Sequence, residues 1–402
     1  MTIKVKQRYE DFVVQEISET KAEILPFPET VEEYGEQLEK AIDALHTERK
    51  EQLKCILQKR NIDLNTAIKR LSRKQKFSQK RIGYAGLKDK RAVTSQFITI
   101  YDPNLEELKK FRDKNIFLHS FEWSNKKIEL GDLKENFFIV KLRNIDTQID
   151  LKKTFNKIKK IKEMPNYFGE QRFGSIRELN QDIGRFFIQG KTKEAVELFL
   201  IATSDREKEE TQEARALVKE GNYAEAIRKF PKENHMEKAI LNSLIKNPND
   251  YNNAWLQISK SITFLFVHAY QSYLFNKYIN TRLEKYSLDS MDGDILDEEG
   301  FVLGPLFGFE FTFATKESGK LEKKILKEEN MGLEDFHIKN FPQMSSKGTR
   351  KRIKLLIKNL KLVAIQEDDF NEDKQEIIIS FTLDKGNYAT TVLDYFIKNA
   401  FK

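Results

Sequence analysis

The chain has 402 residues, of which 39% are hydrophobic and 33% are charged, and its net charge is +7. This length and balance are typical of a soluble protein with two or three domains and a sizeable core. Because Cys55 is the only cysteine, an internal disulfide and a cysteine-cluster metal site are excluded, and the five histidines show no metal-ligand spacing.

The first 160 residues predict a mixture of strands and helices. Apolar residues alternate in "LKCILQK" (Leu53, Cys55, Leu57) and in "FLHSFEW", which indicates strands. The segment "KKIELGDLKENFFIVKLRN" predicts two strands around a Gly-Asp turn. Helical spacing in "LNTAIKRL" and in "DLKKTFNKIKKIKEM" predicts two amphipathic helices, the second with Leu151, Phe155 and Ile158 facing inward.

The pattern changes to mainly helical from about Glu163 to Leu356. Helices are predicted in "QDIGRFFIQGKTKEAVELFLIA" and "TQEARALVKEGNYAEAIRKF", and one long helix from Gln257 to Tyr286. The tail returns to strand alternation in "QEIIISFTL" and ends with a short helix, "ATTVLDYFIKNA". A sheet-rich start and end around a helical middle predict a sheet domain interrupted by an insertion.

Positive charge is concentrated in two segments. Residues 47–91 contain 15 Lys and Arg against 4 Asp and Glu, and residues 345–361 contain 7 Lys and Arg and no acid. Two basic segments far apart in the sequence suggest a polyanionic partner. The alternative is that both are solvated faces of a lysine-rich protein.

The segment "GYAGLKDKRAVTSQ" places one carboxylate, Asp89, among Lys88, Lys90 and Arg91. Gly83 and Gly86 allow the backbone to bend or a ligand to approach closely. Nearby positive charge favours an ionised carboxylate, which can act as a nucleophile or base. The alternative is a turn residue or an ordinary salt-bridge partner. The Walker A, GxGxxG, GxSxG and HExxH motifs are absent from the sequence, which argues against nucleotide hydrolysis and against cofactors held by a glycine-rich loop.

The same segment closely resembles the signature of the TruD family of pseudouridine synthases, and "PNYFGEQRFG" from Pro165 to Gly174 resembles that family's second hallmark. Weaker matches follow the same order along the chain: "EDFVVQEI", "LKENFF", "GPLFGFEF", "SKGTRKRI" and "KGNYATTVLDYFI". The resemblance therefore spans nearly the whole chain.

The resemblance implies an α+β fold of the pseudouridine synthase type, with a mixed or antiparallel sheet. The catalytic domain would comprise residues 1–162 and 357–402, and residues 163–356 would form a large, mainly helical α/β insertion domain. The family isomerises uridine to pseudouridine in RNA, typically at position 13 of tRNA, with one catalytic aspartate and no cofactor. The motif aspartate corresponds to Asp89, and Lys6 matches the basic residue that pairs with it.

The resemblance also implies a set of substrate-binding residues. Phe12 and Tyr388 match aromatic positions of the family's pocket, although many members have Phe where Tyr388 stands. Asn136 would offer its amide to a uracil edge, and Phe138, on the same side of a strand, would stack on the flipped base. Glu135 departs from the family, which usually has Gly before this Asn. Arg172 would contact a phosphate, and the alternative for its segment, "PNYFGEQRFG", is a structural hinge.

We therefore expect a tRNA pseudouridine synthase that needs neither metal nor cofactor, acts as a monomer and does not associate with a membrane. The longest apolar run, Ile262 to Tyr270, is about half of a membrane span. The single cysteine, together with an N-terminus that lacks a signal-peptide core, favours the cytoplasm. A non-catalytic RNA-binding protein on the same scaffold is the alternative. An RNA methyltransferase would require a cofactor loop that the sequence does not show.

Overall fold

The computed structural model of the chain describes residues 2–46 and 48–401. Met1 and Lys402, which end the predicted domains, and Thr47, which begins the first basic segment, lie outside the described residues. The described parts of Met1–Met164 and Leu356–Lys402 form one compact unit, and Pro165–Leu355 form a second. These boundaries differ by one or two residues from the predicted domain limits, and the catalytic and insertion roles assigned to the two parts stay predictions.

Strands and helices alternate in the first part of the chain. The strands are β1 (Lys4–Val5), β2 (Phe12–Ile17), β3 (Gln52–Arg60), β4 (Ile82–Tyr84), β5 (Val93–Tyr101), β6 (Ile116–Ser124), β7 (Glu135–Asp146) and β8 (Glu163–Pro165). The helices are α1 (Val31–Asp43), α2 (Leu64–Lys74), α3 (Leu105–Lys109) and α4 (Leu151–Lys160). The inward residues predicted for α4 are all buried, because its apolar stripe faces the core.

The second unit is mainly helical. Its helices are α5 (Asn180–Ile188), α6 (Thr192–Ile201), α7 (Glu209–Lys219), α8 (Tyr223–Lys229), α9 (His235–Lys246), α10 (Tyr251–Trp255), α11 (Lys260–Leu283) and α12 (Lys316–Glu328). Strands β9 (Leu303–Leu306) and β10 (Thr349–Arg352) pair in antiparallel register, and β11 (Lys354–Leu356) follows. The first unit resumes with β12 (Lys358–Glu367), β13 (Lys374–Asp384) and α13 (Ala389–Ala400).

Helix α11 lies in the core of the second unit. Its Phe266 packs against Trp255, whose ring also contacts Phe187 and Phe199 at centroid distances of 4.6 and 5.5 Å. The helix is shorter than predicted, because Ser259 is its N-cap and the helix ends at Leu283. Among the described residues no helix combines the length and the apolar character needed to cross a bilayer.

Nine strands of the described chain form one mixed sheet in the first unit. The order is β12-β13-β7-β2-β5-β3-β6, with β1 paired to β7 and β4 paired to β5. Neighbouring strands are antiparallel except for β2 and β5, which run parallel. The predicted α+β class with a mixed sheet is confirmed.

The strand register determines which side chains share a face at the centre of this sheet. Glu16 of β2 lies opposite Asn136 of β7. Phe12, four residues before Glu16, and Phe138, two residues after Asn136, point to the same face, because side chains alternate along a strand. The central face of the sheet therefore carries Phe12, Glu16, Asn136 and Phe138 together.

One predicted strand is wrong. Residues 126–130 were expected to pair with the following strand, but they run as irregular chain before β7. The amide of Ile128 donates to the side-chain oxygen of Thr99 at 3.1 Å, and the amide of Glu129 donates to the Asp132 carboxylate at 2.9 Å. These side-chain acceptors take up the backbone donors that a strand ladder would need.

The close approach of this segment explains one of the two motif glycines. A Cβ on Gly83 would lie 2.5 Å from Thr99 Oγ1 and closer still to the carbonyl oxygen of Ile128. A Cβ on Gly86 would meet only Leu133 Cδ2, at 3.9 Å, an ordinary contact. Neither glycine has a positive φ. The close approach of the segment at Ile128 therefore requires glycine at position 83. At position 86 there is room for a Cβ and φ is not positive, so neither feature requires glycine there.

A buried charge network fixes the end of β7 against the turn between β1 and β2. The Arg143 guanidinium, 2% exposed, contacts carboxylates of Asp11, Asp368, Asp369 and Glu376 at 2.5–2.7 Å. Asp11 belongs to the turn that leads from Lys6 to Phe12, so this network supports the segment that carries both residues. The cluster of Asp368, Asp369 and Glu376 has acidic groups close enough to ligate a metal, but the Arg143 guanidinium already contacts all three.

Arg143→Met is expected to lower the free energy of unfolding by about 3–5 kcal/mol, because it leaves buried carboxylates without their cation. Urea denaturation of the purified variant measures this. Arg49→Met is the matched control, since Arg49 and its partner Asp102 are both more than half exposed and the loss should stay below about 1 kcal/mol. Equal effects of the two substitutions would contradict the role given to the network.

Gly83→Ala is expected to lower the free energy of unfolding by about 1–3 kcal/mol, because the added methyl group overlaps the crossing chain. Gly86→Ala should change it by no more than about 1 kcal/mol, since its Cβ has room and φ is compatible. The same urea titration compares the pair. A tolerated Gly83→Ala would show that the crossing segment moves freely.

Candidate active site

Lys6 is placed by the switch between the two strands that precede and follow it. β1 pairs with β7 at Arg143 and Leu142, and β2 pairs with β7 from Val140 onward, so the intervening residues leave the sheet. Lys6 is the first of them and has a φ of 57°, a left-handed conformation that is uncommon for a residue with a side chain. Surrounding contacts must hold such a backbone in place.

The Lys6 ammonium contacts both an anion and a ring. It forms an ion pair with Asp89 Oδ1, in which the Lys6 side chain is 15% exposed and that of Asp89 is 41% exposed. It also lies 3.8 Å from the centroid of the Phe12 ring, a cation–π geometry. The structure thus brings Lys6, Asp89 and Phe12 together, and it leaves the carboxylate accessible from solvent.

Asp89 lies in residues 85–92, an irregular loop between β4 and β5. Buried lysines hold this loop. The Lys59 ammonium donates to the main-chain oxygen of Asp89 at 2.7 Å, and the Lys88 ammonium pairs with Glu16 at 2.7 Å. Burial raises the pKa of Glu16, and the neighbouring Lys88 ammonium opposes that rise. Lys88, which the sequence counts among the cations of the first basic segment, therefore belongs to the interior, with 5% of its side chain exposed.

Lys59 and Glu16 were not predicted as part of the site, although the alternation of residues in their strands points to both. Lys59 continues the alternation of Leu53, Cys55 and Leu57, so it occupies the buried side of its strand. A charged residue at such a position is rarely buried without a partner. Glu16 similarly continues the inward series of β2 from Phe12. For both residues, the evidence in the sequence was a charged side chain at a position where the alternation predicts an apolar one.

Asn136 and Phe138 follow each other on the central face of the sheet. Asn136 is 8% exposed, and its Oδ1 has no hydrogen-bond partner among the described residues. Phe138 is 4% exposed; it stacks on Phe381 at 5.4 Å and meets Phe12 edge-on at 5.9 Å. A buried amide oxygen without a partner is costly, so Asn136 is suited to receive a hydrogen bond from a ligand.

Tyr388 and Glu135 lie near the start of β7, where Asn136 is the second residue. Asp384, the last residue of β13, is opposite Glu135, and the chain reaches Tyr388 after a turn at Gly386 with a φ of 79°. Tyr388 is the N-cap residue of α13 and is 55% exposed. Glu135, where the resemblance led us to expect Gly, accepts a hydrogen bond from Lys358 at 2.7 Å and is the first residue of β7.

Arg172 belongs to the second unit, separate from the residues described above. Its guanidinium donates to Ser272 Oγ at 3.2 Å and lies 5.7 Å from the Phe168 ring. The hallmark segment 165–174, which contains Arg172, is hydrogen-bonded to the end of β10. The side chain of Asn166 donates to the carbonyl of Arg352, and its backbone amide donates to the carbonyl of Ile353. Within its own unit, the second hallmark segment thus has a structural role.

The two basic segments differ in how much of their charge is free. In the second segment, the chain's own carboxylates pair with Lys347, Arg350, Arg352, Lys354 and Lys358. Burial lowers the pKa of Lys351 to about 7. In the first segment, exposed cations on and after α2 form no ion pair within the described residues; they are Lys69, Arg73, Lys76, Lys80 and Lys90. The polyanion interpretation therefore rests on the first segment.

An open cavity is lined mainly by residues that are close in the sequence to Lys6 and Asp89. It has a volume of about 350 Å³ and is lined by Arg8, Tyr9, Glu10, Asn61 and Arg91. Arg8 is two residues after Lys6, and Arg91 is two residues after Asp89. The Arg91 guanidinium donates to the Gln7 carbonyl, which orients it without neutralising its charge.

Comparison with known proteins gives a consistent result. A sequence model of the family described as tRNA pseudouridine synthase D (TruD) matches residues 1–301 and 296–396. A Methanosarcina acetivorans protein named "Probable tRNA pseudouridine synthase D" is 37% identical, with 85% of this chain and 86% of that protein covered. A Methanocaldococcus jannaschii protein named "Probable tRNA pseudouridine synthase D 1" is 34% identical, with 98% and 95% covered.

A solved structure extends the likeness to the fold. The crystal structure of a Methanosarcina mazei protein that carries the tRNA pseudouridine synthase D name superposes with a TM-score of 0.76 at 33% identity. The superposition covers 98% of this chain and 93% of that one. The chain belongs to the TruD family of tRNA pseudouridine synthases.

Proposed function

We propose that this chain isomerises a uridine of tRNA to pseudouridine, at position 13, with Asp89 as the catalytic carboxylate. The observation that carries the proposal is the ion pair between Lys6 and Asp89 on an accessible loop beside the central face of the sheet. Lys6 also contacts Phe12, and Phe12 contacts Phe138, which follows Asn136 on the same face. An acidic group, its counter-ion, an apolar floor and an amide oxygen without a partner among the described residues are thus connected in one unit.

The reaction is an isomerisation, so the atoms of substrate and product balance. The bond between C1′ of the ribose and N1 of the uracil breaks, the base turns over, and C5 bonds to C1′ while its proton is lost and N1 gains one. Asp89 either attacks C1′ or removes the 2′ proton, and both routes require the ionised carboxylate. The Lys6 ammonium pairs with this carboxylate and is its counter-ion.

Asn136 would identify the base. Its buried Oδ1 can accept a hydrogen bond from the N3–H of uracil, and its amide nitrogen can donate to a carbonyl oxygen of the same edge. Phe12 and Phe138 are already packed against each other and would form the apolar floor of the pocket. Phe138, expected from the sequence to stack on the base, is only 4% exposed, so we assign the stacking to Tyr388, which is 55% exposed.

Cations of the first basic segment would hold the RNA backbone. Phosphate contacts position a substrate without reading its sequence. The cavity lined by Arg8 and Arg91 has room for a neighbouring nucleotide and carries two guanidinium groups suited to phosphate. Arg172, in the second unit, is proposed as a further phosphate contact. Everting the uridine costs a few kcal/mol, which these contacts and the stacking on Tyr388 would offset.

Asp89→Asn is expected to abolish pseudouridine formation while leaving tRNA affinity nearly unchanged, because it removes the ionisable group and keeps its shape. Chemical mapping of pseudouridine in tRNA treated with the purified protein measures the product and its position, and filter binding measures affinity. Asp43→Asn is the control, since Asp43 is exposed at the end of α1 and pairs with Lys109.

Turnover by Asp89→Asn close to that of the wild type would remove Asp89 from its proposed role. Wild-type protein that binds tRNA without forming pseudouridine would establish the non-catalytic RNA-binding alternative. Product at another position of tRNA would retain the chemistry and reject position 13.

A further inference from the structure

The loop that carries Asp89 depends on side chains for its shape. Residues 85–92 lie between β4 and β5, and three side chains from the sheet hold them. Gln96 donates to the carbonyl of Gly86 at 3.0 Å, Glu16 pairs with Lys88, and Lys59 donates to the carbonyl of Asp89. The contact from Lys59 is the one made to the main chain of Asp89 itself.

Lys59 is unusually placed for a lysine. It lies near the end of β3, its side chain is 0% exposed, and its ammonium is 2.7 Å from the Asp89 oxygen and 3.5 Å from the Lys88 oxygen. Lysine is among the residues least often fully buried, and a buried ammonium requires acceptors for its protons. The two carbonyls of the loop are the acceptors that the structure gives it.

We propose that Lys59 is a positioning residue of the active site. Its protonated ammonium holds the main chain at Asp89, and so fixes the direction in which the carboxylate leaves the loop; loss of the proton weakens that hold, because a neutral amine is a poorer hydrogen-bond donor than an ammonium. The proposal rests on the catalytic role proposed for Asp89, and it adds a residue that acts through Asp89 without touching the substrate.

The surroundings of Lys59 lower its pKa into the pH range in which enzyme activity is measured. The pKa of Lys59 is lowered to about 8, chiefly by burial; the carboxylates of Asp89 and Asp63 oppose the shift, and the Lys88 ammonium adds to it. The activity that depends on the Lys59 proton is therefore expected to fall as pH rises through about 8.

Folding stability should not fall over the same range on account of Lys59. Its pKa is lower in the folded than in the unfolded chain, so above about pH 8 the unfolded chain binds more protons at this residue. The contribution of Lys59 to the free energy of unfolding then rises with pH. A loss of activity without a loss of folded protein separates positioning from unfolding.

The test compares the wild type with Lys59→Met and Lys59→Arg, using single-turnover pseudouridine formation at saturating tRNA across a pH range centred near 8. Lys59→Met keeps the length of the side chain without its charge. It should lower the rate by about 10²-fold with unchanged tRNA affinity and no alkaline fall, since a small misplacement of a catalytic group has an effect of that size. Lys59→Arg stays protonated, so it should retain more of the rate and also lose the alkaline fall.

Circular dichroism at each pH identifies folded variants, and the wild-type pH profile applies even where a variant does not fold. A wild-type rate that does not fall across this range would overturn the proposal. An alkaline fall that persists unchanged in folded Lys59→Arg, or full activity in folded Lys59→Met, would do the same. Because the comparison requires an active wild type and an inactive Asp89→Asn, failure of the proposed function would be recognised separately.

Discussion

The structure of the candidate site depends on the ion pair between Lys6 and Asp89. Both residues lie on irregular chain that the sheet's own hydrogen bonds do not define: Lys6 in a left-handed conformation between β1 and β2, and Asp89 in the loop between β4 and β5. An ion pair between two such segments keeps a defined geometry only when other contacts hold each segment in place. The Arg143 network fixes the first, and the buried Lys59 and Lys88 fix the second.

This arrangement explains why one carboxylate, Asp89, occurs among Lys88, Lys90 and Arg91. The cations near Asp89 have different tasks. Lys6 pairs with the carboxylate, and Lys59 and Lys88 are interior groups that hold its loop. Exposed cations such as Lys69 and Lys90 remain for a polyanion. Since the chain belongs to a family of tRNA pseudouridine synthases, that polyanion is proposed to be the tRNA backbone.

The sequence predicted the elements with strong periodicity well. The last helix, 389–400, has the predicted limits, and α4 buries the predicted residues, because an apolar stripe determines which face packs inward. Residues 126–130 were mispredicted, since the alternation there competes with side-chain acceptors that only the folded chain supplies. The free charge of the second basic segment was overestimated for a similar reason. Its carboxylate partners, such as Glu322 and Asp289, lie 28 and 65 residues away in the sequence.

For the candidate site, the motif resemblance pointed to Lys6, Asp89 and Phe12, which the structure brings into contact. Their chemical roles remain proposals. Lys59 was absent from that prediction, because its function depends on a carbonyl 30 residues away and not on a motif. The alternation of β3 nevertheless indicated that a lysine would be buried there. In this chain, a charged residue on the apolar side of a strand therefore indicates a candidate site residue that no motif contains.

The central claim is that the Asp89 carboxylate meets the ribose of an everted uridine. A crystal structure of the Asp89→Asn variant bound to unmodified tRNA tests it most directly. The account predicts a uridine outside its stack, with the side chain at position 89 about 3–3.5 Å from C1′ or from the 2′ carbon, and with Asn136 at the uracil edge. A uridine that remains stacked within the tRNA, or a ribose that lies away from position 89 while the RNA is bound, would contradict it.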